Sequence, residues 1–212
     1  MKRLFDIVCS SIGLLLMSPI LFAVALMIKK EDRGPVLYRG VRLGRKGKPF
    51  KIFKFRTMVV NAERIGGYST ADDDPRITRV GKFLRKYKLD ELPQLINVLK
   101  GEMSLVGPRP EVKYYTDQLT EEERAILSVR PGITDWASIW NADEGELLAG
   151  AEDPDKAYEE LIRPTKLQLQ LKYVREQSFW IDLKIVFLTI LAIVRPGSKA
   201  VTDIRNNKMA RI

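Results

Sequence analysis

"IVCSSIGLLLMSPILFAVALMI", Ile7–Ile28, is a run of 22 residues without a charge. As a straight helix it measures about 30 Å, one bilayer core. A cleavable signal peptide fits less well, because no small-residue cleavage pattern follows the run. Two details separate it from a plain spanning helix. Ser18-Pro19 falls at its middle, where proline removes a backbone hydrogen bond and favours a kink. Both flanks are positive, with Lys2 and Arg3 before it and Lys29, Lys30 and Arg33 after it, and Lys/Arg prefers the cytoplasmic side. The residues therefore leave two readings open: a helical hairpin that enters the bilayer and returns to the same face, or a kinked helix that crosses it.

Outward from this run the chain turns basic and then acidic. Lys29–Lys88 holds 18 Lys and Arg against 6 Asp and Glu, whereas Tyr114–Arg175 holds 7 against 13. A basic stretch serves nucleic acid, an anionic membrane surface or a polyphosphate substrate. The 212 residues are 45% hydrophobic and 30% charged, which suits a packed domain and excludes wholesale disorder. The single cysteine, Cys9, excludes a disulfide within the chain. Histidine is absent from the sequence, so imidazole bases, histidine triads and histidine-ligated zinc are excluded. Any nucleophilic chemistry falls to carboxylates, lysine, tyrosine, serine or Cys9.

Val36–Leu43 and Phe50–Thr57 are rich in strand formers with Gly44–Gly47 between them, which predicts a β-hairpin. Its alternating Arg39, Arg42, Lys51, Lys54 and Arg56 are either a solvated face or contacts to phosphates or headgroups. Asn61–Gly81 reads as a polar loop. Its Asp72-Asp73-Asp74 triplet is compatible with a divalent cation but lacks the offsets of an EF-hand, which favours solvation or capping. Gly81–Leu89 predicts a short basic helix, and apolar positions 92, 95, 96 and 99 predict another that stops at Gly101. Trp136 and Trp140 share a face if their stretch is helical. The apolar run Ile185–Val194 is too short to span, and with Phe179, Trp180 and Lys184 ahead of it reads as an interfacial or a core helix.

Asp90 and Glu91 stand adjacent at the mouth of the second short helix. Asp90 is well placed as an N-cap, with Pro93 tolerated in a first turn. The same helix end attracts phosphate, and Arg85, Lys86, Lys88 and Lys100 add positive charge around it. In a chain without histidine a carboxylate is one of few covalent nucleophiles for phosphorus. Arg109 offers a planar fork to phosphate oxygens, in a loop stiffened by Gly107, Pro108 and Pro110. Both readings, cap and reactive centre, stand on the residues alone.

"KRLFDIV" at Lys2, "SP" at Ser18, "GPVLYRGVRLGRKGKPFKIFKFRTM" at Gly34, "DPRITRVGKFLRKYKLDELPQLINVLKGEMSLVGPRP" at Asp74, "RPGIT" at Arg130 and "DLKI" at Asp182 together resemble the bacterial sugar transferase family. These are small monotopic phosphoglycosyl transferases that begin surface-glycan assembly. The resemblance implies an α+β fold: a re-entrant helix-break-helix over residues 1–30, with Ser18 and Pro19 at the break, and a compact catalytic domain over 31–212 carrying a small β-hairpin and interfacial helices. It implies a sugar-1-phosphate transferase on the cytoplasmic face of the bacterial plasma membrane. The substrates would be a UDP-sugar and polyprenol phosphate, typically undecaprenyl phosphate, with Mg2+ as cofactor. Asp90 matches the nucleophile that would form a phosphosugar–aspartyl intermediate with release of UMP. Glu91 matches its partner carboxylate, which would support Mg2+ or proton handling, and Asp90 and Glu91 are the expected metal residues. Arg109 and Arg85 match phosphate-binding residues, and Asp182 a supporting acid near the site. The departure lies after "RPGIT", where Asp135–Gly150, "DWASIWNADEGELLAG", replaces a common Gly-Trp-Ala and Asn-Gly pattern. Glu144 and Glu146 in it are expected to shape sugar recognition or to form an ordinary acidic segment. Other classes consistent with charge and membrane run are a tethered nucleic-acid-binding protein and a non-catalytic scaffold. No recognition-helix or zinc-finger pattern supports nucleic acid, and the intact acid pair and Arg109 argue against a scaffold. A homo-oligomer is compatible with the sequence.

Overall fold

The computed structural model describes residues 1–195 and 197–206. Pro196 and 207–212, the end of the expected 31–212 domain, lie outside the described residues. The apolar run forms one helix, α1 (Lys2–Asp32), with Pro19 inside it. The expected interruption at Ser18-Pro19 is therefore corrected: the backbone stays helical through both residues. Proline cannot donate to the carbonyl four residues back. Here the Ser18 hydroxyl donates to that carbonyl, Leu15 O, at 2.8 Å, which restores the lost bond.

Both ends of α1 are fastened to the same folded body. At one end Lys2 Nζ donates to Val106 O at 2.9 Å and pairs with Asp182 at 2.6 Å. The Arg3 guanidinium donates to the carbonyls of Val98 and Leu99, and buried Asp6 accepts from Ser104 Oγ and Leu105 N. At the other end Asp32 pairs with Arg56, and Glu31 accepts from Val80 N. Val24 and Ile28 pack there with Phe55 and Leu84. Between the ends Leu15, Leu16, Ile20 and Phe22 are exposed. Among the described residues α1 is the one helix long and apolar enough to cross a membrane.

The predicted hairpin is present in two paired segments. β2 (Val41–Leu43) pairs antiparallel with β3 (Pro49–Lys51), and β1 (Leu37–Tyr38) with β4 (Lys54–Phe55). The bond from Ile52 N to Gly40 O joins the segments. The basic helix is α2 (Arg79–Lys86), capped by Thr78. A single turn, Leu89–Glu91, precedes α3 (Gln94–Lys100), which Gly101 ends at φ 80°.

Beyond α3, β5 (Ser104–Val106) is followed by α4 (Lys113–Asp117) and then by β6 (Gly132–Thr134), which pairs parallel with β5. The chain closes with α5 (Trp136–Trp140), α6 (Glu144–Leu148), α7 (Pro154–Ala157), α8 (Arg163–Glu176), α9 (Phe179–Val194) and α10 (Lys199–Arg205). A π-turn at Tyr158–Ile162 leads into α8, so Pro164 falls in a first turn, where its missing N–H costs nothing. The largest core cluster joins Val106, Trp136, Ile139, Leu169, Tyr173, Ile185 and Leu188. At about 1.5–3 kcal/mol for each fully buried large apolar side chain, this cluster holds α5, α8 and α9 against the parallel strands. Helix α9 serves both readings of its apolar run: Ile185 and Leu188 face the core, while Trp180, Phe187, Ile190 and Val194 stay exposed. The α+β expectation holds as helices around three small two-stranded sheets.

Candidate active site

The acid pair does not cap a helix. Pro93 occupies the N-cap position of α3 with no side-chain cap bond, and Asp90 sits a turn earlier, inside Leu89–Glu91. Lys88 enters that turn in the left-handed region, at φ 55°, a conformation that costs a non-glycine residue of order 1 kcal/mol. The bend presents both carboxylates to β4 and to the loop after β5.

The two acids are treated differently there. Glu91 receives the Arg109 fork on both oxygens, one bond at 3.0 Å, and Lys54 Nζ at 2.8 Å. Asp90 is buried at 7% exposure. Its one ion pair within 4 Å among the described residues is with Lys54 Nζ, at 3.9 Å. Among the described residues no donor reaches its carboxylate within hydrogen-bond distance. Burial pushes the Asp90 carboxyl above its ordinary value, against the pull of Lys54 and with the push of Glu91. Burial works against Glu91 as well, but Arg109 and Lys54 outweigh it and hold Glu91 well below the usual carboxylate range. In return Glu91 raises Arg109. The pair thus resolves into one tied acid and one nearly unpartnered acid, side by side.

Arg109 reaches the dyad because the parallel strands aim it. Gly107 follows β5, and its N–H donates to Thr134 O at 3.0 Å, while Gly132 N donates to Pro108 O at 3.0 Å. The two glycines lie back to back: a Cβ on Gly132 would stand 2.1 Å from Gly107 N, so only a residue without a side chain fits. The loop leaves the carboxyl end of a parallel pair, a common seat for ligand-binding loops. Arg85 on α2 donates to Thr57 Oγ1 at 3.2 Å. Burial lowers its pKa, opposed by Asp90, Asp72 and Asp74, which places it within the dyad's field.

The structure therefore brings Asp90, Glu91, Arg109 and Arg85 together. The partners of Asp182 are of another kind: its buried carboxylate takes Lys2 at 2.6 Å and the Tyr173 hydroxyl at 2.8 Å, which ties α9 to the start of α1 and to α8. Lys54 is the dyad contact that sequence reasoning left among the strand cations. Its alternation with Lys51 and Arg56 carried no signal that told one from another.

For Mg2+ the donor set is sparse. Glu91's oxygens are already on Arg109 and Lys54, which leaves Asp90 the less occupied carboxylate of the pair. Among the described residues no group of three or more acidic or cysteine side chains is placed to hold a cation. That donor set still fits Mg2+, which binds through one or two carboxylates plus substrate phosphates rather than a protein cage.

Fold and site together define a protein with a membrane-length apolar helix packed beside a carboxylate–arginine centre suited to phosphate chemistry. The chain belongs to the bacterial sugar transferase family, whose model, described as "Bacterial sugar transferase", matches residues 1–196. It is 43% identical over 196 residues to the UDP-glucose:undecaprenyl-phosphate glucose-1-phosphate transferase of Escherichia coli strain K12, covering 90% of this chain and 39% of the relative. It is 40% identical to the UDP-N-acetylgalactosamine-undecaprenyl-phosphate N-acetylgalactosaminephosphotransferase of Aeromonas hydrophila, covering 91% and 43%. The uncharacterized sugar transferase EpsL of Bacillus subtilis strain 168 is 37% identical, covering 92% and 87%. The chain thus spans about two fifths of the first two relatives and most of the third.

Proposed function

We propose that this chain moves a phosphosugar from a UDP-sugar to undecaprenyl phosphate through a covalent intermediate on Asp90. The observation that carries the reading is the asymmetry of the dyad. Asp90 is buried and nearly unpartnered, while its neighbour is tied to an arginine fork and a lysine. In the first half-reaction an Asp90 oxygen attacks the β-phosphorus. The new P–O bond forms as the bond to the bridging oxygen breaks, and UMP departs with that electron pair. In the second, an oxygen of the lipid phosphate attacks the same phosphorus and the Asp90 carboxylate leaves unchanged. Lys54 and Arg109 stand where charge develops on the phosphoryl oxygens, the larger part of catalysis in phosphoryl transfer. Asp90, together with the donor's phosphates, would hold Mg2+, which would supply charge neutralisation on the diphosphate.

The lipid substrate asks for attachment to one leaflet. Both ends of α1 bond to the same folded body, which supports insertion from one face rather than passage through the bilayer. Its exposed middle and the outer face of α9, with Trp180 and Phe187, supply the apolar surface. Positive residues at both ends of α1 support the cytoplasmic face. The relatives' names carry glucose in one case and N-acetylgalactosamine in another, so a panel of UDP-sugars assayed for UMP release identifies the donor. Intact-mass measurement after donor alone is expected to show one added phosphosugar on wild type and none on Asp90→Asn. Transfer to lipid by Asp90→Asn at the wild-type rate sinks the covalent route.

A further inference from the structure

Helix α8 carries a polar stripe where a buried helix ordinarily carries an apolar one. Lys166, Gln170 and Tyr173 follow one another at spacings of four and three, the pitch of a single helix face. They are exposed by 8%, 0% and 1%. Burying an amine and an amide is costly unless each is satisfied, and each of the three has a partner either in the loop Val106–Glu111 or, for Gln170, at Asp135, which itself contacts that loop.

Tyr173 and Lys166 stand against the two ends of that loop, and Gln170 reaches its middle through Asp135. The Tyr173 hydroxyl lies 3.2 Å from Val106 O, where β5 ends. Gln170 Nε2 donates at 3.2 Å to Asp135 Oδ2, the same oxygen that accepts the Arg109 backbone N–H at 3.3 Å. Lys166 Nζ pairs with Glu111 at 2.6 Å and donates to the Tyr158 hydroxyl at 2.8 Å, which donates to Glu111 in turn. Asp135 is itself fixed: its other oxygen accepts the N–H and the hydroxyl of Ser138 at 2.7 and 2.8 Å, capping α5. The loop's exit is thus held by Lys166 and its middle by Asp135, which Gln170 braces, and the middle hold falls on the backbone of Arg109.

We propose that Asp135, with Lys166, Gln170 and Tyr173 behind it, is a set of positioning residues that fixes the Arg109 fork for the donor's phosphates. This rests on the reading of Arg109 as the phosphate-binding arginine. Glu91 holds the fork at its tip, and the α8 face holds its root. A displacement of about 1 Å in such a group costs on the order of 100-fold in rate, which a tip contact alone does not prevent once the substrate competes for it.

Asp135→Asn isolates the hold. It keeps an acceptor oxygen for Ser138. Gln170 Oε1, which has no partner among the described residues, can turn to accept the new amide, so the α8 contact survives. Only the Arg109 N–H loses its acceptor. The full-length chain in lipid nanodiscs is assayed for UMP release with donor and undecaprenyl phosphate, for melting temperature, and for amide hydrogen exchange over residues 105–112, where Pro108 and Pro110 leave Arg109 as a clean reporter. Asp135→Asn and Gln170→Leu are expected to raise the donor KM and cut kcat/KM by about 10- to 100-fold, to expose the Arg109 amide, and to leave the melting temperature nearly unchanged for Asp135→Asn. Leu167→Ala, next door on α8 but packed with Leu119 and Ile126, is expected to lower the melting temperature with donor kinetics and loop exchange unchanged. Wild-type donor kinetics in both polar variants, or losses that only track the folded fraction as in a merely destabilised protein, overturn the proposal. If wild type releases no UMP, the transferase reading falls. The exchange measurement still decides the hold on Arg109: lost protection supports it and unchanged protection overturns it.

Discussion

Two acidic regions of this molecule treat their carboxylates in opposite ways. Around a cavity of about 560 Å3 lined by residues 65–76 and 151–155, the aspartates are spoken for. Asp74 takes the Arg76 guanidinium on both oxygens, the closest contact at 2.7 Å. Asp155 accepts the N–H groups of Tyr68 and Ser69 at 3.1 and 2.6 Å and the Tyr115 hydroxyl at 3.2 Å. The bond from Arg76 holds Asp74 below its ordinary value. Burial opposes Asp155's charge, but the Ser69 and Tyr68 donors prevail and lower it too. At the dyad the opposite holds for Asp90, whose burial is not repaid by donors. The acids that build the loop are satisfied; the acid proposed to react is left wanting a partner.

The comparison breaks first at Asp90. Asp90→Asn removes the proposed nucleophile and is expected to cut UMP release by on the order of 10,000-fold. It also removes a poorly compensated buried charge, so the melting temperature is expected to hold or rise. A substantial fall in melting temperature would class Asp90 with Asp74 and Asp155 as a structural acid. Next, Arg109→Lys replaces a two-pronged fork by a point charge and frees one Glu91 oxygen. A drop of about 100-fold in donor kcat/KM is expected; an unchanged value removes the fork from the mechanism.

The pH response sharpens the contrast without mutation. Asp90 must be ionised to attack, and its pKa is raised, so kcat/KM is expected to decline as pH falls while still above the ordinary carboxylate range near about 4. Asp74 and Asp155 have lowered folded-state values. Their contribution to stability is complete above the unfolded pKa and is lost only as pH falls through the folded one. Activity should therefore fail at a higher pH than melting temperature does, and coincident losses would contradict the assignment. Smallest in its effect on turnover, Asp155→Asn is expected to cost about 1–3 kcal/mol of stability through its donors left unpaired, read as a fall in melting temperature, with UMP release per folded molecule within about threefold of wild type.

Much of the scaffold was legible because its signals are local. Twenty-two uncharged residues make an apolar helix in any context. The strand formers on either side of Gly44–Gly47 make a hairpin, and Gly101 ends α3 in the left-handed region that glycine favours. The dyad and Arg109 stood out as the right groups for phosphate chemistry in a chain without histidine. What failed was geometry that depends on distant partners. The β5–β6 pair is three residues a side and joins Ser104 to Gly132, too short and too far apart for any pattern to announce it. Asp182 reads as one more acid at the start of α9 until Lys2, from the opposite end of the chain, is found on it. The Ser18-Pro19 step promised a break, yet one hydroxyl bonded to Leu15 O keeps the helix whole.

The sequence by itself determined that this chain has an apolar helix of bilayer length, a basic hairpin, and a carboxylate pair with an arginine and no imidazole. These follow from composition and short-range spacing, which act over one or two turns of backbone. Only the tertiary structure decided which acid is tied and which is left nearly unpartnered, that both ends of α1 belong to one body, and that Asp135, 26 residues downstream, accepts the arginine's backbone N–H. Those outcomes rest on desolvation and on single hydrogen bonds between groups far apart in the chain, and neither exists until the fold has brought them within reach.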